Sequence, residues 1–197
     1  MSADAPSSPQ VKATLFRGLC SVLALQGLEA AVLEQVPPET RALMVDLPPA
    51  TTWLDARRII DLQSAILALK GPSGLRQIAR RGVEQSVIPI VRGTVERVLR
   101  VFGISPATVL ARMGVLAAST SRGVEYRYTP TSETSGVLEL EHVGLRDVPE
   151  APLIATAGGL EGMFELCGVR GTVSDPVMVD NGRGDTCRYT VSWRPRR

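Results

Sequence analysis

Three cysteines (Cys20, Cys167, Cys187), a single histidine (His142) and two glutamates one helical turn apart (Glu161, Glu165) are the side chains here with the clearest chemical options. The thiols form no CxxC pair, and an odd count suits free thiols in a reducing compartment better than a disulfide framework. Cys167 recurs with Leu153, Ala157, Leu160 and Phe164 at helical spacing, where a cysteine ordinarily serves as a small buried hydrophobe. Cys187 leads a second pattern, in which Cys187, Tyr189, Val191 and Trp193 alternate with Arg188, Thr190 and Ser192 as in a half-buried strand. His142 shares a strand face with Leu138 and Leu140, a place for a packing residue or a pocket polar group as readily as for a ligand. Glu161 and Glu165 could share a proton or hold a cation, but a solvated helix face explains them without perturbed pKa values.

Enzymatic readings find little support. A Ser-His-Asp or Cys-His mechanism would have to use His142, and nothing local resembles a nucleophile elbow. The sequence has no G-x-x-x-x-G-K-[ST], no HExxH and no G-x-G-x-x-G after a strand. Gly158 and Gly162 are spaced for close helix-to-sheet packing rather than for phosphate.

Between Asp55 and Arg112, ten cationic side chains stand against four anionic ones, although the whole chain carries only +2. Arg76 and Arg80, and then Arg92 and Arg100, repeat along helical segments as candidate partner-docking residues, with an arginine-rich solvated face as the plainer reading. Aromatic side chains for base stacking are nearly absent there and no helix-turn-helix is evident, so nucleic acid is not the expected partner.

Elements must position these groups. Phe16 to Gln26 and Leu28 to Val36 read as short helices, the second stopped by Pro37-Pro38, and Thr51-Thr52 can cap a helix from Trp53 to Lys70. Gly71-Pro72-Ser73-Gly74 is a break; Leu75 to Phe102 is helical in period, with Pro89 and Gly93 expected to kink or split it. Ser105-Pro106 opens another helix. Arg122 to Tyr128 and Val137 to Val143 alternate as a hairpin about the turn from Thr131 to Gly136, followed by the helix containing Gly158 to Gly168 and a second hairpin. The predicted fold class is α/β of the α+β kind: N-terminal helices packed with a four-stranded antiparallel sheet and a crossover helix. With 197 residues and 44% hydrophobic content, a real core is affordable. Residues 1–10 read as a disordered leader and 11–197 as one domain, helical over about 11–119 and sheet over about 120–193. No stretch reaches about 18 uninterrupted apolar residues, so no membrane span is expected, and the expected location is cytoplasmic.

Phe16-Arg17-Gly18-Leu19, the Tyr126-x-Tyr128 strand, the Gly158 to Gly168 helix and the terminal Val191-Ser192-Trp193 together resemble an uncharacterised paralogous family abundant in myxobacteria, over nearly the whole chain. The last third also resembles the 4-vinyl reductase domain: Gly184-Asp185-Thr186-Cys187-Arg188-Tyr189 is similar to its final-strand pattern G-D-x-x-C-x-F, with one residue fewer before the cysteine and tyrosine for phenylalanine. That fold group includes the haem nitric-oxide-binding domain and palmitate-holding subunits of the TRAPP tethering complex. The resemblance implies a ligand-binding fold that often dimerises. Zinc-holding relatives would place a ligand at Cys187, but the residue eight before it, where the family has a second cysteine, is Val179, and the four-ligand set is broken. Haem-binding relatives supply their proximal histidine from a helix, whereas His142 lies in a predicted strand.

The resulting expectation is a non-catalytic sensory or regulatory module, with no metal and no cofactor, that encloses an apolar small molecule or acyl chain and acts through a protein partner, as a homodimer with a helix-rich interface. The candidate pocket residues are Tyr126, Tyr128, His142, Phe164, Cys167, Cys187 and Tyr189. The alternative is a ligand-free dimeric scaffold or adaptor with a filled core.

Overall fold

In the computed structural model the backbone is described for residues 8–102, 105–142, 147–180 and 185–195, and side chains for the same residues except 84, 86–102, 180, 185 and 195. Most of the expected leader lies outside the described residues, but Gln10 belongs to the first strand, β1 (Gln10–Lys12). This strand is the centre of a small antiparallel sheet: it pairs with β2 (Trp53–Asp55) on one side and β3 (Ser121–Arg122) on the other. Lys12 Nζ lies 5.3 Å and Arg122 Cζ 4.0 Å from the centroid of the Trp53 ring, so two cations meet one indole π system.

Helices α1 (Ala13–Leu25), α2 (Glu29–Gln35) and α3 (Pro38–Val45) follow β1. Sequence reasoning missed α3, where Pro38 occupies the first turn as a fixed-φ starter. The long helix expected from Trp53 begins three residues later, as α4 (Ala56–Phe102), because Trp53–Asp55 is taken by the small sheet. Its start is capped not by Thr51-Thr52 but by Asp55, whose Oδ1 accepts from Arg57 N–H at 2.8 Å. The break expected at Gly71-Pro72 is a kink, with Gly71 at φ 67°. Beyond it the helix continues across Pro89 instead of splitting, since one proline removes a single ladder bond and leaves the turns on either side in register. The first helical core buries Phe16, Leu19, Leu23, Leu62, Ile66, Leu75 and Ile78.

Two short helices, α5 (Pro106–Ala111) and α6 (Met113–Ala118), lead into the main sheet. Ser105 caps α5 as its sequence suggests, Oγ accepting from Thr108 N–H at 3.3 Å. The sheet is antiparallel and has five strands, one more than expected: β4 (Val124–Ser132), β5 (Ser135–His142), β6 (Val169–Val173), β7 (Val177–Asp180) and β8 (Asp185–Pro195). Their order is β4-β5-β8-β6, and β7 also pairs with β8 beside β6. The extra strand arises because the segment after Gly168 breaks in two, and both halves pair along the 11-residue β8. As the alternation required, Cys187, Tyr189, Val191 and Trp193 are all buried on one face, with Arg188, Thr190, Ser192 and Arg194 exposed on the other.

Helix α7 (Glu150–Leu166) joins the two cores. Leu153, Ala157, Leu160 and Phe164 face the sheet, while Ala151, Ile154 and Ala155 enter the first core. Between these stripes, Gly158 and Gly162 lie against the backbone of α4, not against the sheet as their spacing alone suggested. A Cβ on Gly162 would stand 2.5 Å from the Arg80 carbonyl oxygen, and one on Gly158 would collide with the Arg76 carbonyl, its carbon at 2.9 Å. Gly159 points elsewhere, its nearest neighbour Val83 Cγ2 at an ordinary 3.6 Å. Gly158→Ala and Gly162→Ala are therefore expected to cost about 1–3 kcal/mol each through overpacking, whereas Gly159→Ala should be neutral or stabilising by up to about 1 kcal/mol. Urea melts of the three variants check this, and equal effects at all three positions would contradict the packing.

Candidate functional site

The pocket residues expected from the sequence separate into two groups. Phe164, Cys187 and Tyr189 are fully buried between α7 and the sheet. The Tyr189 hydroxyl donates to the Leu153 carbonyl of α7 at 2.9 Å, and the Phe164 ring lies 5.8 Å from that of Trp193, tilted by 31°. A side chain at Gly171 would run into the Phe164 ring, with its Cβ at 2.7 Å, so helix and sheet touch here without a gap. These three side chains belong to the buried core of the sheet and α7. Cys167 is not on the buried stripe: α7 ends at Leu166 and Cys167 caps it, half-buried.

Tyr126, Tyr128 and His142 lie on the inner face of β4 and β5, where the roof changes. Helix α7 packs on β6 and β8, whereas α5 and α6 pack on β4. Over β5 the two roofs meet in a seam, where Leu110 of α5 shares one buried cluster with Leu138 and Leu140 of β5 and Leu153 and Leu160 of α7. Tyr126 sits beside Leu140 in register, and His142 ends β5 opposite Val124. The Tyr128 ring folds over Gly136, whose missing side chain makes room for it: a Cβ there would be 2.7 Å from Tyr128 Cζ.

The arginines and glutamates that sequence reading kept apart find each other. Arg76 binds Glu161 at 2.8 Å and Asp175 at 3.0 Å and also donates to the Val173 carbonyl, while Arg80 engages Glu165 through two parallel bonds, one from Nε at 2.8 Å. Glu161 and Glu165 are therefore not a free solvated face, and the charges of Arg76 and Arg80 are committed within the fold rather than presented for docking. The side chains of Arg92 and Arg100 lie outside the described residues.

A groove of about 240 Å³ includes Tyr126 of the expected pocket residues but was otherwise missed at the sequence level. It lies on the outer face of the sheet, lined by Glu125, Arg127, Glu139, Glu141, Thr186 and Arg188 among others. Strand alternation places all of them on that face, so period-2 bookkeeping of polar positions was the available signal. Arg188 donates to Glu139 Oε1 from both Nε (3.1 Å) and Nη2 (2.7 Å).

No family model and no curated protein sequence matches this chain. Solved structures do. The Fe(II) unliganded H-NOX protein from K. algicida superimposes with a TM-score of 0.64 at 9% identity, over 94% of this chain and 97% of that one. An oxygen-binding H-NOX domain related to soluble guanylate cyclases, in its oxygen complex, gives 0.61 at 10% identity over 93% and 95%. A structure probing haem distortion in the H-NOX family gives 0.63 at 11% identity over 94% and 97%. The chain thus has an H-NOX-like α/β fold.

The described residues do not fit a haem. His142, the one imidazole of the sequence, ends a strand and not a helix. The thiols are poor iron ligands, because burial pushes Cys20 from 9.0 up to about 12 and Cys167 up to about 11, and raises Cys187 as well. Helix α7 lies directly on the sheet. Among the described residues no group of three or more His, Cys, Asp or Glu side chains is placed to hold a metal ion.

Burial also lifts Tyr126 to about 12. Each of these acids holds its proton more tightly folded than unfolded, so its contribution is complete below about pH 9 and is lost as the pH rises towards 12. Melting temperatures are expected to fall steadily between about pH 9 and about pH 11, and Cys20 and Cys187 to resist aromatic disulfide reagents until the protein unfolds. Unchanged melting across that range, or rapid native labelling of all three thiols, would contradict the burial.

Proposed function

We propose that this protein is a non-catalytic sensory or regulatory module that acts through a protein partner, as a cytoplasmic homodimer. The observation that carries the reading is the whole-length likeness to H-NOX domains, one of them related to soluble guanylate cyclases, combined with an apolar inner sheet face roofed by two separate sets of helices. Two roofs over one sheet leave a seam that can part without unfolding either. A ligand there is an apolar small molecule or acyl chain: the seam is lined by Leu110, Leu138, Leu140 and Tyr126, with the His142 imidazole at its end as a polar group. No described helix is long and apolar enough to cross a membrane.

The ligand-free scaffold is the second reading, favoured by the gapless contact of Phe164 and Tyr189 under α7. Native mass spectrometry of gently purified protein separates the two. The sensory reading expects an apolar adduct that dissociates on activation in the gas phase and is lost in Leu110→Trp, where the indole fills the seam, while far-UV circular dichroism is preserved. Bare protein mass in every preparation supports the scaffold.

A further inference from the structure

The outer face of the main sheet carries two cross-strand pairs of like charge. Glu125 of β4 stands directly opposite Glu141 of β5, and Arg170 of β6 directly opposite Arg194 of β8. Like charges at directly opposed positions repel, and a sheet built only for its own stability would avoid them. Elsewhere on the face the charges are matched, Glu139 being paired with Arg188. Among the described residues no ion pair reaches Glu125, Glu141, Arg170 or Arg194. The acidic pair borders the 240 Å³ groove at one end of the face. The basic pair lies at the other, since Glu141 is level with Thr186 and Arg170 with Arg194, eight residues further along β8 or about 26 Å.

We propose that this face is an isologous interface with a second copy of the chain, in which Glu125 and Glu141 of one protomer receive Arg170 and Arg194 of the other. A two-fold axis lying between the two sheets, midway between the poles, exchanges them, so one contact neutralises both frustrated pairs twice over. The groove beside Glu125 and Glu141 provides the concavity into which a guanidinium can reach, and arginine's planar fork can bridge two carboxylates. The rest of the face suits a polar interface: Thr129, Thr172, Thr190 and Ser192 are short, exposed and hydrogen-bonding. This rests on the dimeric part of the function proposed above and replaces the helix-rich interface expected from sequence, because the apolar stripes of α7 are consumed inside the chain.

Analytical ultracentrifugation of the full chain tests it. Wild type is expected to dimerise at micromolar concentration in low salt and to weaken at least about tenfold near 0.5 M salt, where screening shortens the reach of the charges. The double variants Glu125→Arg/Glu141→Arg and Arg170→Glu/Arg194→Glu are each expected to be monomeric, since each brings like poles together, and to form a one-to-one heterodimer when mixed. Thermal melts confirm that both fold; Glu125, Arg170 and Arg194 are exposed and Glu141 is half-buried in the groove. The proposal is overturned by a wild type that stays monomeric, by a dimer that survives both reversals, which would be a dimer through another face, or by variants that remain separate on mixing.

Discussion

The contact on which the rest depends is backbone against backbone: α7 rests on α4 at Gly158 and Gly162, close enough that the Arg76 and Arg80 carbonyls occupy the space of absent side chains. Two helices this close fix each other's height and rotation, because no flexible side chain lies between them to absorb an error. The flanking ion pairs, Arg76 with Glu161 and Arg80 with Glu165, use the same two α4 residues and sit one turn apart on both helices. Exposed pairs of this kind add little energy alone. Their value here is in register: a slip of α7 by one turn would separate both pairs and drive Gly158's neighbours into α4. With α7 so held, its other stripe has only one way to meet the sheet, and Phe164 lands over Gly171.

Strand periodicity made the sheet legible, and it was reliable because one face is buried. The alternation of Cys187, Tyr189, Val191 and Trp193 named the inner face of β8, and the capping chemistry of Ser105-Pro106 named the start of α5. What escaped depended on partners distant in sequence. Trp53–Asp55 reads as a helix start until β1 is available to pair with it, and the loop before α4 has no local signal for that competition. Glu161 and Glu165 read as solvated because helical spacing says nothing about a second helix 85 residues away that carries arginines at the same spacing. The glycines signalled close approach correctly, but not what approached them.

The candidate site suffered from the same asymmetry. Aromatic and thiol side chains at inward positions attract a ligand reading, yet in a domain of this size inward positions are first needed for core, and Phe164, Cys187 and Tyr189 serve there. Among the described residues the fold leaves a choice where its roof passes from α7 to α5 over β5, and on the outer sheet face, where charge rather than shape carries the information. Both places were implicit in the period-2 pattern of β4, β5 and β8, but their polar positions carry meaning only once strand order is known.

The small sheet has a consequence for biosynthesis. Strand β1 stands between β2 and β3, and its bond from Arg122 to Gln10 spans 112 residues. At about 5–20 residues per second on the ribosome, the N-terminal strand waits roughly 6–20 s for its second neighbour. Through that interval its free edge is an invitation to stray pairing, and its three-residue length and the Lys12 charge are what keep the nascent chain from accepting. The Trp53 ring, which gains its second cation only when Arg122 arrives, closes the loop between the first and last parts of the helical region.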